Sequence, residues 1–134
     1  MLTLDTIREW LETLDVKFDN YYIGKLDNKK DKSLGVYQLD SQNTPHLALG
    51  GKANTKYKTK AISLLIHWNK NHHDTEIKAV DLYEALEYRT NFTIGSINIY
   101  YIEILVNEPI DVHADDKGVY ERVIQLILHY ERRL

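Results

Sequence analysis

The first segment of the chain has the hydrophobic spacing of an amphipathic helix. Apolar residues recur at intervals of three and four positions, at Leu4, Ile7, Leu11 and Leu14. This spacing places them on one face of a helix and leaves polar residues on the opposite face. Thr3 can cap the first turn, and we expect the helix to end near Asp15.

The clearest strand pattern runs from Lys56 to Lys70. Its even-numbered positions include Ile62, Leu64, Ile66 and Trp68, whereas the odd-numbered positions include Ala61, Ser63, Leu65 and His67. Such alternation is typical of a strand with one core-facing side. A second helix follows, with Asp74 as its expected N-cap and its end near Tyr88, because Ala79, Leu82, Tyr83 and Leu86 line one side.

Weaker patterns predict further β segments. We expect an extended piece at 18–26 and a strand at 34–39, separated by an exposed polar turn at 27–33, and two strands at 97–106 and 119–132. Asn91 and Gly95 frame a turn. The segment 40–55 is loop-like, although 46–49 could hold a short strand, and the polar residues 107–118 suit a long hairpin loop.

The order of these elements predicts one α+β domain spanning residues 1–134. We expect an antiparallel sheet of about four or five strands with two helices packed on one face, since strands joined by polar hairpins pair antiparallel. The opposite face is too polar for a second core and suits water or a partner subunit; it carries Ala61, Ser63, His67, Glu121, Gln125 and His129.

Composition excludes several classes of protein. The chain has no cysteine, so it cannot form disulfides or a cysteine-based zinc site. Its formal net charge of −3 argues against a protein that coats nucleic acid through a basic surface. The first residues are acidic where a signal peptide is basic, and no later run is long enough for a membrane span.

Two groups of histidine and acidic residues suggest metal chemistry. The first comprises His67, His72, His73 and Asp74, and the second comprises Asp111, His113, Asp115 and Asp116. A zinc site needs three or four converging ligands, and neither spacing ensures that. We interpret the first group as a solvated turn with a helix cap and the second as a charged hairpin tip, and we expect no metal or cofactor.

No motif indicates an enzyme. The sequence lacks a nucleophile elbow, a Walker loop and a dinucleotide fingerprint, and Gly50-Gly51-Lys52 does not have the required spacing. A small metal-dependent hydrolase or nuclease built on the histidine and aspartate groups remains the alternative from a different class. A binding module of the host is a third hypothesis.

The beginning of the long strand has an unusual charge pattern. Lys56, Lys58 and Lys60 precede the apolar positions on the same face, with Tyr57 between the first two lysines. Three unpaired lysines cannot be buried under a helix layer. We therefore expect this half of the strand to project beyond the body, either as a solvated end or as an arm that contacts a neighbouring molecule.

Two blocks of sequence resemble a known family. The first runs from Leu49 to Lys70 and continues into the helix with Leu82-Tyr83-Glu84-Ala85-Leu86; the second runs from Glu108 to Val112 and on to Gly118-Val119-Tyr120-Glu121-Arg122-Val123. They resemble the small minor capsid proteins of long-tailed phages and prophages of Gram-positive bacteria. Within that group the chain looks like a tail terminator.

The resemblance implies a non-enzymatic virion protein, assembled in the host cytoplasm, which caps the tail tube as a ring of about six subunits. Its expected partners are itself, the tail-tube protein and a head-completion or stopper protein. DNA is expected to pass through the ring without sequence-specific binding. A head-side adaptor or stopper is the alternative. Candidate interface residues are Lys56, Tyr57, Lys58, Lys60, Asp111, His113, Asp115 and Asp116.

Overall fold

The structure is a computed structural model that describes residues 1–24, 30–39 and 57–131. Within these ranges the chain forms two helices and seven strands. In chain order they are α1 (Leu4–Glu12), β1 (Asn20–Ile23), β2 (Ser33–Gln38), β3 (Tyr57–His67), α2 (His72–Leu86), β4 (Thr90–Ile94), β5 (Ile97–Ile104), β6 (Ile110–Ala114) and β7 (Tyr120–Glu131). The protein is therefore α+β, as the order of the sequence patterns predicts.

The strands form one curled sheet in the order β1-β2-β3-β7-β5-β4. Strands β3 and β7 pair antiparallel along their whole length, from Tyr57 opposite Glu131 to His67 opposite Glu121. Since β3 occupies one edge of β7, β5 and β6 share its other edge, β5 near the end of β7 and β6 near its start. The sheet is larger than the four or five strands expected.

The first two strands do not form the antiparallel hairpin that the sequence predicts. Strand β1 runs parallel to β2, with Asn20 opposite Ser33 and Ile23 opposite Val36. A hydrophobic pattern specifies which side of a strand is buried but not the direction in which two strands pair, and a parallel pair needs a crossover instead of a tight turn. Residues 25–29 of the expected 27–33 turn, and the possible strand at 46–49, lie outside the described residues.

Two short strands occupy segments that were expected to be a turn and a loop. Strand β4 lies where Asn91 was expected to open a turn, and β6 lies inside the expected 107–118 loop. Asn91 and His113 have positive φ angles of 51° and 70°, so each strand is irregular. Because most of their side chains are also exposed, neither segment shows the alternation that marks a half-buried strand.

The helix ends show which polar residues act as caps. Thr3 caps α1 as predicted, since its hydroxyl accepts a hydrogen bond from the amide of Thr6 at 3.1 Å. Helix α1 ends at Glu12, slightly before the expected position. The prediction of Asp74 as the cap of α2 is wrong, because Asn71 caps this helix through Oδ1, which accepts from the amide of Asp74 at 3.0 Å.

In the described part of the chain, the hydrophobic core lies between the helices and one face of the sheet. The even-numbered side chains of β3 and β7 meet both helices there, as the sequence predicts. Its fully buried members include Ile7 and Leu11 of α1, Leu82 and Leu86 of α2, Ile62, Leu64 and Ile66 of β3, and Ile124 and Leu126 of β7. Both helices therefore cover the same face. No helix in the described ranges is long and apolar enough to span a membrane.

Candidate functional site

The odd-numbered side of β3 and β7 forms the second face of the sheet, which we call the open face. Both helices pack against the other side, so the described part of the chain places no helix over it. Leu65, Val123 and Ile110 lie side by side across β3, β7 and β6. Leu65 and Val123 are half-buried and Ile110 is 40% exposed, so the centre of this face is apolar.

A polar network closes one end of the open face around His129. Its Nε2 lies 2.8 Å from Oε1 of Glu103, its Nδ1 is hydrogen-bonded to the hydroxyl of Tyr57, and the Tyr101 ring stacks on it at 4.2 Å. These contacts connect β3, β7 and β5. Burial and the nearby Tyr101 hydroxyl together raise the pKa of Tyr57 to about 12, with burial the larger cause.

The opposite end of the open face holds His67. Its Nδ1 lies 2.9 Å from Oε2 of Glu121, and its Nε2 lies 3.8 Å from Oδ2 of Asp115. Only 2% of His67 and 6% of His129 is exposed to solvent. Both histidines therefore find partners within the chain, which differs from the expectation that they would face water or a partner subunit.

A charged corner joins the start of α2 to β6. Nε2 of His72 lies 3.2 Å from Oδ2 of Asp111 and 3.3 Å from an Arg122 nitrogen, and Glu76 lies 3.7 Å from the same guanidinium. A backbone hydrogen bond from His113 holds the pKa of Asp111 below its usual value, and the His72 side chain lowers it further. The corner thus combines members of both histidine and aspartate groups.

This corner is not suited to a cation. The Arg122 guanidinium lies 3.8 Å from Oδ2 of Asp111, in the region where a metal ion would have to bind. In the described ranges no three histidine, aspartate or glutamate side chains come together as a ligand set. His67 lies elsewhere, beside Glu121, and the imidazole of His113 lies 3.9 Å from the same Asp111 oxygen but is 85% exposed. These residues therefore do not form the metal site that the hypothesis of a metal-dependent hydrolase requires.

The lysine-rich end of β3 is part of the sheet. Residues from Tyr57 onward pair with β7, so this half of the strand does not project as a separate arm. Lys58 is exposed and Lys60 is half-buried, whereas Ile62 is fully buried, so the face changes from charged to apolar between Lys60 and Ile62. Burial lowers the pKa of Lys60, and repulsion from Lys58 adds to the effect. Lys56 lies outside the described residues.

The hairpin between β6 and β7 carries the other candidate interface residues. Asp115 holds its turn, since Oδ1 accepts hydrogen bonds from the amides of Lys117 at 2.9 Å and Val119 at 3.0 Å. Asp116 is exposed at the tip. Asp111 belongs to the charged corner, so the four residues of this group have different roles, and the structure does not bring them to one point.

A groove beside the end of α2 has no counterpart in the sequence patterns. It encloses about 410 Å³ and is lined by Tyr83, Glu87, Tyr88, Arg89, Thr90, Tyr101, Ile102 and Ile104. The pairing of β4 with β5 stops at Tyr101, so the rest of β5 forms one wall. Tyr88 is 88% exposed and has a φ of 64°. A bulky residue in the left-handed region is unusual.

A comparison with protein families identifies the chain. A family described as bacteriophage tail terminator protein matches residues 3–132. The chain belongs to this family. Tail terminators are structural components of the phage tail, so the protein has a structural role in the tail of a virion.

Other comparisons add little to the assignment of this tail terminator. No curated protein matches the sequence. A solved structure aligns with 100% of this chain and 98% of its own chain, at 11% identity and a TM-score of 0.44. A likeness of this degree carries no functional argument. The family match agrees with the resemblance of the sequence to a tail terminator.

Proposed function

We propose that this protein caps the finished tail tube of a long-tailed phage as a closed ring of about six subunits. The family match over residues 3–132 is the observation that carries the proposal. The ring would match the rotational symmetry of the tube and stop its growth. Its partners would be further copies of itself, the tail-tube protein on one side and a head-completion or stopper protein on the other.

The surfaces of the molecule support a role in assembly. The open face presents half-buried apolar residues such as Leu65 and Val123, which suit a protein contact better than water. The groove with Tyr88 and the exposed Lys58 offer further contacts. The proposed mechanism is matching of shape and charge between subunits. DNA would pass through the ring without being read in a sequence-specific manner.

The proposed location is the junction between tail and head, after assembly in the cytoplasm of a Gram-positive host. The phenotype of a deletion distinguishes a terminator from an adaptor or stopper. Without a terminator, the tube has no cap and continues to grow, whereas without an adaptor or stopper the tails should have normal length but remain unattached.

Deletion of the gene from its phage tests the proposal. Electron micrographs of the deletion lysate should show tubes of irregular and excessive length without heads, and expression of the protein in trans should restore virions. Quantitative mass spectrometry of those virions should give about six copies per particle. Virions that assemble normally and lack the protein would overturn the proposal, and unattached tails of normal length would favour an adaptor or stopper.

A further inference from the structure

Two surfaces of opposite charge lie at opposite ends of the β3–β7 pair. Lys58 and Lys60 lie near the end where Tyr57 pairs with Glu131, and the β6–β7 hairpin follows the end where His67 pairs with Glu121. Ten residue steps of about 3.3 Å separate these ends, which is roughly 33 Å. The two surfaces therefore cannot meet within one subunit.

The first surface combines two lysines with a groove that is lined by tyrosine and isoleucine together with Glu87, Arg89 and Thr90. Lys58 is exposed and Lys60 is half-buried, and the two ammonium groups repel each other. Lys60 lies opposite Leu128 in β7, which lies opposite Ile102 in the wall of the groove. Two strand spacings of about 4.8 Å place the backbone of Lys60 roughly 10 Å from that wall, and Lys58 lies two residues further along β3. The exposed Tyr88 ring lines the same groove.

The second surface combines negative charge with apolar side chains on a hairpin. Ile110 is 40% exposed and Val112 is 43% exposed. Both belong to β6, and Val112 lies at the bulge where the pairing of β6 with β7 shifts register. Asp116 is exposed at the tip, beside Lys117. The hydrogen bonds that Asp115 accepts hold the turn in one conformation, so the hairpin can dock without a large loss of conformational entropy.

We propose that the β6–β7 hairpin of one subunit docks into the groove beside Lys58 and Lys60 of the next subunit. The occupant is a second copy because this chain itself carries the complementary charge and the apolar side chains that fit a tyrosine-lined groove. Since the two surfaces differ and lie at opposite ends, the contact is head-to-tail, and repetition of such a contact can close a ring. The inference rests on the proposed ring and assigns the surfaces that form it.

The absence of cysteine from the chain permits a direct test. A K58C/D116C variant should be expressed with the deleted phage, where loss of both charges lowers the yield of virions, and the virions that form should be treated with a short bis-maleimide, because ion-paired side chains hold backbones further apart than a disulfide allows. We expect a ladder of covalent oligomers from dimer up to the full ring. The single variants K58C and D116C should remain monomeric.

A second pair tests the apolar half of the contact. Y88C/V112C, which keeps Lys58 and Asp116, should give the same ladder in the virions that form, although loss of the Tyr88 ring also lowers their yield. A matched control is E9C/K58C, which replaces an exposed acidic residue of α1 and should give no ladder.

Each outcome has a distinct meaning. Virions that contain both double-cysteine variants but yield only monomers would overturn the proposed contact and leave the ring intact. Dimers from a single variant would show a two-fold contact and would also overturn it. Particles that lack the protein altogether would overturn the terminator function itself.

Discussion

Nε2 of His72 lies 3.2 Å from Oδ2 of Asp111, and this contact joins the first turn of α2 to β6 across 39 residues of sequence. Arg122 of β7 lies 3.8 Å from the same carboxylate oxygen and donates to the carbonyl of Pro109 at 3.3 Å. The base of the β6–β7 hairpin is thus fixed to both the helix and the central strand. This attachment holds the hairpin in place for contact with another molecule.

Asp111→Asn should change how stability depends on pH. The pKa of Asp111 is lowered on folding, so its charge stabilises the folded state above its ordinary value of 3.8, and this stabilisation is lost as the pH falls through the lower folded value. The difference in Tm between wild type and D111N should therefore be largest near pH 6 and shrink between pH 4 and pH 2. Thermal melts monitored by circular dichroism measure it.

The control for this prediction is Asp116→Asn, on the same hairpin. Asp116 is exposed at the tip, so its substitution should have little effect on Tm at either pH. A Tm difference for D111N that stays constant from pH 6 to pH 2 would show that the substitution acts through packing and not through charge.

The sequence predicts the elements that border the core. Helix α1, strand β3, helix α2 and strand β7 all have strong periodicity because one side of each is fully buried. The short edge strands β4 and β6 escape prediction because the positive φ angles of Asn91 and His113 interrupt their alternation. The parallel pairing of β1 also escapes, since burial patterns do not encode strand direction.

The functional surfaces are less predictable than the fold. The pairing of His72 with Asp111 depends on the position of β6, which the sequence patterns do not reveal. The groove depends on where β4 stops against β5 and on the left-handed conformation of Tyr88. Neither feature leaves a periodic signal. The alternation of β3 predicts the exposed position of Lys58, but Lys60 is half-buried, and the full pairing of β3 with β7 shows that both belong to the sheet.

Leu82→Ala should destabilise the protein strongly. Leu82 has no exposed surface and packs in the core between α2 and the sheet, so truncation leaves a cavity. We expect a loss of about 2–5 kcal/mol in the free energy of unfolding, measured by urea titration. Ile77→Ala on the same helix is the matched control, because Ile77 is 47% exposed and should cost less than about 1 kcal/mol. Equal losses for the two variants would contradict the assigned helix orientation.

Tyr57→Phe should reduce the loss of stability in alkaline solution. The pKa of Tyr57 rises to about 12 on folding, so the neutral hydroxyl stabilises the folded state below pH 10 and this stabilisation is lost as the pH rises towards 12. Y57F should therefore show a shallower decline in unfolding free energy from pH 9 to pH 11. It should also lose about 1 kcal/mol at pH 7, because the hydrogen bond to His129 is removed.

The matched control for Tyr57→Phe is Tyr88→Phe, which removes a hydroxyl from a tyrosine that is 88% exposed. Urea titrations of both variants at each pH give the comparison. If the unfolding free energies of Y57F and Y88F both fall as steeply with pH as that of wild type, Tyr57 does not contribute to the alkaline transition.

Lys58→Glu together with Lys60→Glu should impair assembly without unfolding the protein. Lys58 is exposed and Lys60 half-buried, and exposed charges contribute little to stability, so we expect a change in Tm of only a few degrees. Reversal of both charges should repel the acidic hairpin of the next subunit and lower phage yield in a complementation assay by at least about tenfold.

The control for this charge reversal is Lys30→Glu with Lys70→Glu, which makes the same change in net charge at two exposed lysines elsewhere. This variant should complement at nearly the wild-type level. Full yield from K58E/K60E would show that the lysines are only a solvated strand end.

Tyr88→Gly should make the protein more stable but impair assembly of the virion. Tyr88 has a φ of 64° just after the end of α2, where glycine adopts the left-handed conformation without steric cost. Because the ring is 88% exposed, its removal costs little core packing, and we expect a gain of about 0.5–1 kcal/mol in unfolding free energy.

The same substitution removes the aromatic wall of the groove, so virion yield should fall and Tyr88→Asn should behave in the same way. Urea titration and complementation measure the two effects separately, and a stabilised variant with full yield would show that the strained tyrosine has no role in the ring.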